Sequence, residues 1–226
     1  MSGSSTGGNI LTGANKKGLD AFLIEFGGRA FPFPDIAGTY KGKKVAILGD
    51  AACVWDDVER LGLRFDQRRG AVATDQWDLM TINKMVELTP GNIEHAYSNE
   101  ASLLLKFVAA RRCEYQGEFY GPRHTHSSTR GASWHWPWGG FGTSALGACI
   151  VAVGLGYDRI VLCGIPLDES PHNGEPPWRR TGFRTEAADS VGAGINRYWQ
   201  RARDLAFEGK IKSMSGRTRD WLGEPC

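Results

Sequence analysis

The stretch Thr143-Ser-Ala-Leu-Gly-Ala-Cys-Ile-Val-Ala-Val-Gly-Leu-Gly156 constrains the fold more than any other part of the chain, because at helical spacing it leaves almost no polar face. A helix apolar nearly all round has to be covered on every side, and this one falls short of the roughly 20 apolar residues of a membrane span. It is followed at once by Arg159-Ile-Val-Leu-Cys-Gly-Ile, a run that reads as a buried strand closed by a glycine turn. The same grammar occurs earlier in Lys43-Lys-Val-Ala-Ile-Leu-Gly-Asp: a basic start, four apolar residues and a glycine. A buried helix between buried strands calls for a parallel sheet with helices on both faces.

Further elements extend the alternation. A helix is expected through Val54 to Leu61, with Asp56 and Asp57 in its first turns where the macrodipole favours them, and strands at Trp77–Asn83 and Ile93–Tyr97. Helical spacing of Leu103, Leu104, Phe107 and Val108 marks Ser102–Arg112, residues 113–141 read as an aromatic loop, and Glu186–Phe207 reads as a long helix. An edge strand from Lys210 and a short helix near Trp221 complete the core. Residues 1–42, rich in Gly, Ser, Thr and Asn, read instead as an extended arm able to dock through Phe31 and Phe33. The expected organisation is therefore one α/β domain over residues 43–226, a doubly wound and mostly parallel sheet, with an N-terminal arm over residues 1–42.

Charge and cysteine usage narrow the classes. Lys plus Arg number 27 against 25 Asp plus Glu, a net charge of +2 that does not mark a general nucleic-acid binder. Five widely spaced cysteines and an N-terminus without a basic-then-apolar pattern imply a reduced, cytoplasmic chain without a disulfide framework. With no long apolar run, no membrane partner is expected. Glycine, at 30 of 226 residues, is roughly twice its usual share of about 7%, and without a three-residue period it implies tight turns and close backbone approaches.

In an open parallel sheet, ligands bind beyond the carboxyl ends of the strands where the strand order reverses. The residues after Leu48, Ile82, Tyr97 and Ile165 are therefore the candidates. Gly49-Asp-Ala-Ala-Cys would let backbone N–H groups face a phosphate, or is a plain glycine turn; it matches neither the dinucleotide nor the P-loop fingerprint. Asn83 offers donors and an acceptor suited to a base or ribose, or caps a helix. Thr143 and Ser144 open the buried helix, where hydroxyls and the dipole suit a phosphate, or serve as caps. His172, in the loop after the strand ending near Ile165, is a candidate general base that Asp168 or Glu169 could orient, or else a solvated loop histidine. His124, His126 and His135 raise a metal reading, but no carboxylate or cysteine completes the set at a familiar spacing, so no metal site is assigned. Trp134, Trp136 and Trp138 alternate as on a strand, for stacking or for packing; Arg179, Arg180 and Arg184 could meet an anion or simply face water.

Three of these blocks together resemble a known family. Thr143 through Asp168 resembles the helix–strand signature of a Rossmann-like group that includes bacterial sialyltransferases acting on lipooligosaccharide, flagellin-glycosylation (motility accessory) proteins and an archaeal pterin pyrophosphokinase. Val45-Ala-Ile-Leu-Gly-Asp-Ala-Ala resembles its first strand and phosphate turn, and Asp78-Leu-Met-Thr-Ile-Asn its second strand with the nucleotide-binding asparagine. The closing Ser213-Met-Ser-Gly-Arg-Thr-Arg-Asp-Trp-Leu-Gly resembles the end of small bacteriophage-encoded members, for which the host cytoplasm or the virion is the expected location. The resemblance implies a Rossmann-like fold and a nucleotide-sugar-dependent glycosyltransferase whose donor is a cytidine nucleotide sugar held by Gly49, Asn83, Thr143 and Ser144. Asp50 and Gly164, in the turns after the same two buried strands, join them as nucleotide-binding candidates, His172 and Asp168 are the catalytic candidates, and no obligatory metal is expected. The alternatives are a Mg²⁺-dependent pyrophosphoryl or nucleotidyl transferase, with Asp50 on the metal side, and a non-catalytic binding or virion-associated module that meets copies of itself or virion proteins. Where the group usually reads Gly-Asn-Gly-Pro-Ser, this chain has Gly49-Asp-Ala-Ala-Cys, which brings a carboxylate to the turn.

Overall fold

The structure is a computed structural model that describes residues 13–27, 33–64, 77–115, 121–126, 131–136, 142–175 and 190–226. Seven strands form one sheet: β1 (Lys44–Leu48), β2 (Asp78–Ile82), β3 (His95–Tyr97), β4 (Arg123–Thr125), β5 (Trp134–His135), β6 (Arg159–Cys163) and β7 (Ile211–Ser213). Their spatial order is β5-β4-β3-β2-β1-β6-β7, and every pairing is parallel. From β1 the chain winds outward to β5, then returns to the other side of β1 as β6. The strand order thus reverses between β1 and β6, and the crevice of a doubly wound sheet opens beyond their carboxyl ends.

Strand alternation divides the core into two faces. Val45, Ile47, Met80, Ile82, Ile160 and Leu162 point to one side, where α5 (Ser144–Leu155) lies along β1, β2 and β3. Outside α5 pack α1 (Gly13–Gly27) and the π-helical turn Arg203–Phe207 that ends α6 (Ser190–Ala202). With the sheet beneath and helices above, α5 is buried from Ala145 to Leu155, which is why its sequence lacks a polar stripe. On the opposite face α2 (Val54–Arg60) covers Ala46, Leu48, Leu79, Val161 and Cys163, while α3 (Met85–Leu88) and α4 (Ala101–Tyr115) enclose Val86, Ile93, Ala96, Leu104 and Val108. A short helix, α7 (Gly216–Leu222), closes the chain beside the edge strand β7.

Two expectations change. Residues 13–27 are helical rather than extended: Leu19, Phe22 and Leu23 recur at i, i+3 and i+4, and all three are buried in the core that contains α5. Phe33 also docks on the core, edge-on to Trp136 with ring centroids 6.3 Å apart, and the Gly38 and Tyr40 amides donate to the Gly154 and Leu155 carbonyls at 2.9 Å. The 113–141 segment, read as loop, holds β4 and β5; at three and two residues they are too short to carry a period in the sequence.

Candidate nucleotide site

The ends of β1, β2 and β6 and the start of α5 surround an open cavity of about 430 Å³. All eight candidate residues line it: Gly49, Asp50, Asn83, Thr143, Ser144, Gly164, Asp168 and His172. They come from four separate segments, which the switch in strand order brings together.

The cavity floor is a crossing of two glycines. A Cβ on Gly49 would lie 2.6 Å from the Gly164 carbonyl oxygen and 2.4 Å from Ile165 Cγ1, so only glycine permits the contact. The Gly49 N–H donates to the Cys163 carbonyl (2.8 Å), the Ala51 N–H to Gly164 (3.2 Å) and the Ala52 N–H to Pro171 (2.9 Å). These amides are spent on the loop after β6 and are not turned towards a phosphate, so the phosphate-turn expectation gives way here to close packing. From below, the buried Asp57 accepts the Gly164 N–H at 2.9 Å and the Ser215 hydroxyl at 2.5 Å through Oδ2. Asp57 and Ser215 thus support the site, a role the sequence did not suggest.

The α5 terminus is open to the cavity. Thr143 caps the helix: its Oγ1 accepts the Leu146 N–H at 3.2 Å and the Trp199 Nε1–H at 3.3 Å. With both lone pairs filled, the hydroxyl proton is left to donate. Ser144 Oγ likewise accepts the Asn99 N–H at 3.3 Å. Thr143 therefore fills the capping role without excluding the anion role, for which hydroxyls and amides at a helix N-terminus are suited.

Asn83 adopts the left-handed conformation (φ 51°) after β2. Its side chain caps no helix: α3 begins after Lys84 with no side-chain cap, and Asn83 Oδ1 instead accepts the Ser98 hydroxyl at 2.9 Å. That bond orients the amide so that Nδ2 is the end available to a ligand.

His172 lies half exposed at the rim. Its Nδ1 is 3.2 Å from the Asp50 carbonyl oxygen and 3.8 Å from Asp50 Oδ2. The carboxylate beside the ring is that of Asp50; Asp168, expected to orient the histidine, accepts the Ser170 N–H through Oδ1 at 2.8 Å and so shapes the turn leading to it. Burial pushes the Asp50 carboxyl above the usual carboxylate range, with His172 and Lys84 drawing it partly back. Cys53, next to the turn, is pushed up to about 11 by burial and is a thiol at neutral pH.

The histidines of the metal reading do not converge. Both ring nitrogens of the buried His124 are engaged, Nδ1 by the Trp136 indole N–H and Nε2 by His95 Nδ1, each at 3.0 Å, while His135 is exposed. Among the described residues no group of three His, Cys, Asp or Glu side chains is arranged to hold a metal. Trp136 is a core residue; Phe31, Trp138, Arg179, Arg180 and Arg184 lie outside the described residues. Among the described residues no helix is long and apolar enough to cross a membrane.

No protein-family model matches the chain, and no curated protein matches it. Among solved structures it is similar to the sialyltransferase CstII from Campylobacter jejuni in complex with the substrate analogue cytidine-5'-monophosphate, with a TM-score of 0.47 and 12% identity over 81% of this chain and 85% of that one. The same enzyme with CMP-3FNeuAc gives 0.45 and 14% over 81% and 89%, and the monofunctional α-2,3-sialyltransferase Cst-I from Campylobacter jejuni gives 0.44 and 14% over 81% and 79%.

Proposed function

We propose that the chain is a nucleotide-sugar-dependent glycosyltransferase whose donor, a cytidine nucleotide sugar, binds in the switch-point cavity. The observation that carries this reading is that a hydroxyl-flanked helix terminus and a histidine line one cavity. The resemblance of its three sequence blocks to the sialyltransferase-containing group supplies the donor class.

In this reading the N-terminal amides of α5 and the hydroxyls of Thr143 and Ser144 hold the donor phosphate and stabilise the charge that grows on it. Asn83 Nδ2 donates to the nucleoside, and the close crossing of Gly49 and Gly164 forms the floor beneath it. His172 Nε2 takes the proton of an acceptor hydroxyl. As the acceptor oxygen bonds to the anomeric carbon, the bond from that carbon to the phosphate oxygen breaks, and its electron pair leaves with the nucleotide. Asp168 holds the turn that presents His172. None of these steps calls for a metal.

Thermal unfolding with a panel of nucleotides and nucleotide sugars, with and without Mg²⁺, tests the reading. A ligand at 100 times its Kd stabilises the native state by about 2.7 kcal/mol. A cytidine nucleotide should do so without Mg²⁺, and Asn83→Asp, which tolerates the left-handed backbone but lacks the amide donors, should abolish the effect. No shift with any nucleotide overturns the proposal. A shift that requires Mg²⁺ favours the pyrophosphoryl or nucleotidyl transferase instead.

A further inference from the structure

The loop carrying His172 is fastened to the turn after β1 through the backbone. Ala51 and His172 form an antiparallel bridge, flanked by the bond from the Ala52 N–H to the Pro171 carbonyl and by one from the Asn173 N–H to the Asp50 carbonyl, both 2.9 Å. The Asp50 carbonyl oxygen also faces His172 Nδ1 at 3.2 Å. A carbonyl can only accept, so this contact requires the proton on Nδ1 and leaves the lone pair on Nε2.

The side chain of Asp50 is not needed for that fastening. Its Oδ2 lies 3.8 Å from Nδ1, and its Oδ1 is buried with no hydrogen-bond partner among the described residues. A carboxylate kept in such a place costs stability. What it supplies is a negative charge beside the imidazole. The other charged groups that act on it are Lys84 and Glu175, of opposite sign to each other.

We propose that Asp50 is the positioning residue of His172: its carbonyl fixes the tautomer with Nε2 unprotonated, and its carboxylate stabilises the imidazolium formed when Nε2 accepts a proton. The catalytic use of the pair rests on the transferase reading. In the step itself the O–H bond of the acceptor breaks, a new N–H bond forms at Nε2, and the positive charge gained by the ring is balanced by the adjacent carboxylate. The pair itself is a property of the free protein and can be tested without any ligand.

The test is NMR on the full chain. Long-range ¹H–¹⁵N spectra should show neutral His172 protonated at Nδ1. The Asp50 carboxyl ¹³C signal, followed against pH, should have a midpoint that moves upward in His172→Gln by on the order of 1 pH unit, the scale on which an opposite charge within about 4–6 Å acts. A merely structural loop contact would leave that midpoint in place. Protonation at Nε2, or an Asp50 midpoint that His172→Gln does not move, overturns the proposal. A chain that passes both measurements and binds no cytidine nucleotide retains the pair and loses the transferase reading.

Discussion

Gly49 and Gly164 cross so closely at the ends of β1 and β6 that a Cβ on Gly164 would stand 2.4 Å from the Gly49 carbonyl oxygen. Gly164 also has φ +65°, a backbone region that L side chains rarely adopt. Both features follow from bringing two adjacent parallel strands and their loops to a single floor beneath the cavity.

Gly164→Ala therefore meets a backbone clash and an unfavourable conformation together. It should destabilise the protein by roughly 2–4 kcal/mol, the combined scale of left-handed strain and overpacking. Urea unfolding checks this; a loss below about 0.5 kcal/mol would mean that the crossing is looser than described.

Stability should fall in mild acid because of a buried polar ladder on the α5 side. The Trp136 N–H donates to His124 Nδ1, His124 Nε2 meets His95 Nδ1, His95 Nε2 meets the Tyr157 hydroxyl at 2.8 Å, and that hydroxyl donates to Asp78 Oδ2 at 2.7 Å. An indole N–H can only donate, so the direction runs along the whole ladder and leaves both histidines neutral. Burial lowers His124 well below its ordinary value of 6.5, and burial with Lys43 nearby lowers His95 to about 3. Below pH 6.5 the unfolded chain binds protons that the folded chain refuses, so stability is lost as pH falls from about 6.5 towards 3. Two such histidines set a limiting slope of about 3 kcal/mol per pH unit. Urea midpoints between pH 7.5 and 5 check this, and a flat profile would contradict it.

Thr143→Ala removes the acceptor for both the Leu146 N–H and the Trp199 indole. A loss of about 1–2 kcal/mol is expected in urea unfolding, with Thr143→Ser largely restoring it. On the proposed function, nucleotide affinity measured by calorimetry should fall in the alanine variant as well, since Thr143 lines the cavity.

Asp57→Ala leaves the Gly164 N–H and the Ser215 hydroxyl without their shared acceptor beneath the site. The expected cost is roughly 1–3 kcal/mol, chiefly from the buried Gly164 N–H left unpaired, with the partly buried Ser215 hydroxyl adding less. Binding should weaken although Asp57 does not line the cavity. Unchanged stability and affinity would remove Asp57 from the support of the site.

The site was legible in the sequence to the extent that it depends on local grammar. A glycine, an asparagine or a Thr-Ser pair at the end of a strand or the start of a buried helix can be read from its neighbours, and that grammar singles out Gly49, Asn83, Thr143 and Ser144, all of which line the cavity. What escaped depends on distant partners. Asp57 reads as an ordinary acidic residue in a first turn because its partners Gly164 and Ser215 stand 107 and 158 positions away. His124 reads as half of a His-x-His pair until folding delivers His95 and Trp136 to its two nitrogens. The helical spacing of Leu19, Phe22 and Leu23 was present in the sequence, but the glycine- and serine-rich residues around it favoured an extended arm.

In the proposed function a cytidine nucleotide binds at the carboxyl ends of β1, β2 and β6 with its phosphate on the α5 terminus. Titration of cytidine-5'-monophosphate into ¹⁵N-labelled protein tests it most directly. Saturable shifts are expected at the Ser144 and Ala145 amides and the Asn83 side-chain amide, with little change at Asp78 and Tyr157 at the amino ends of β2 and β6. Absence of shifts, or shifts clustered away from the cavity, would contradict it.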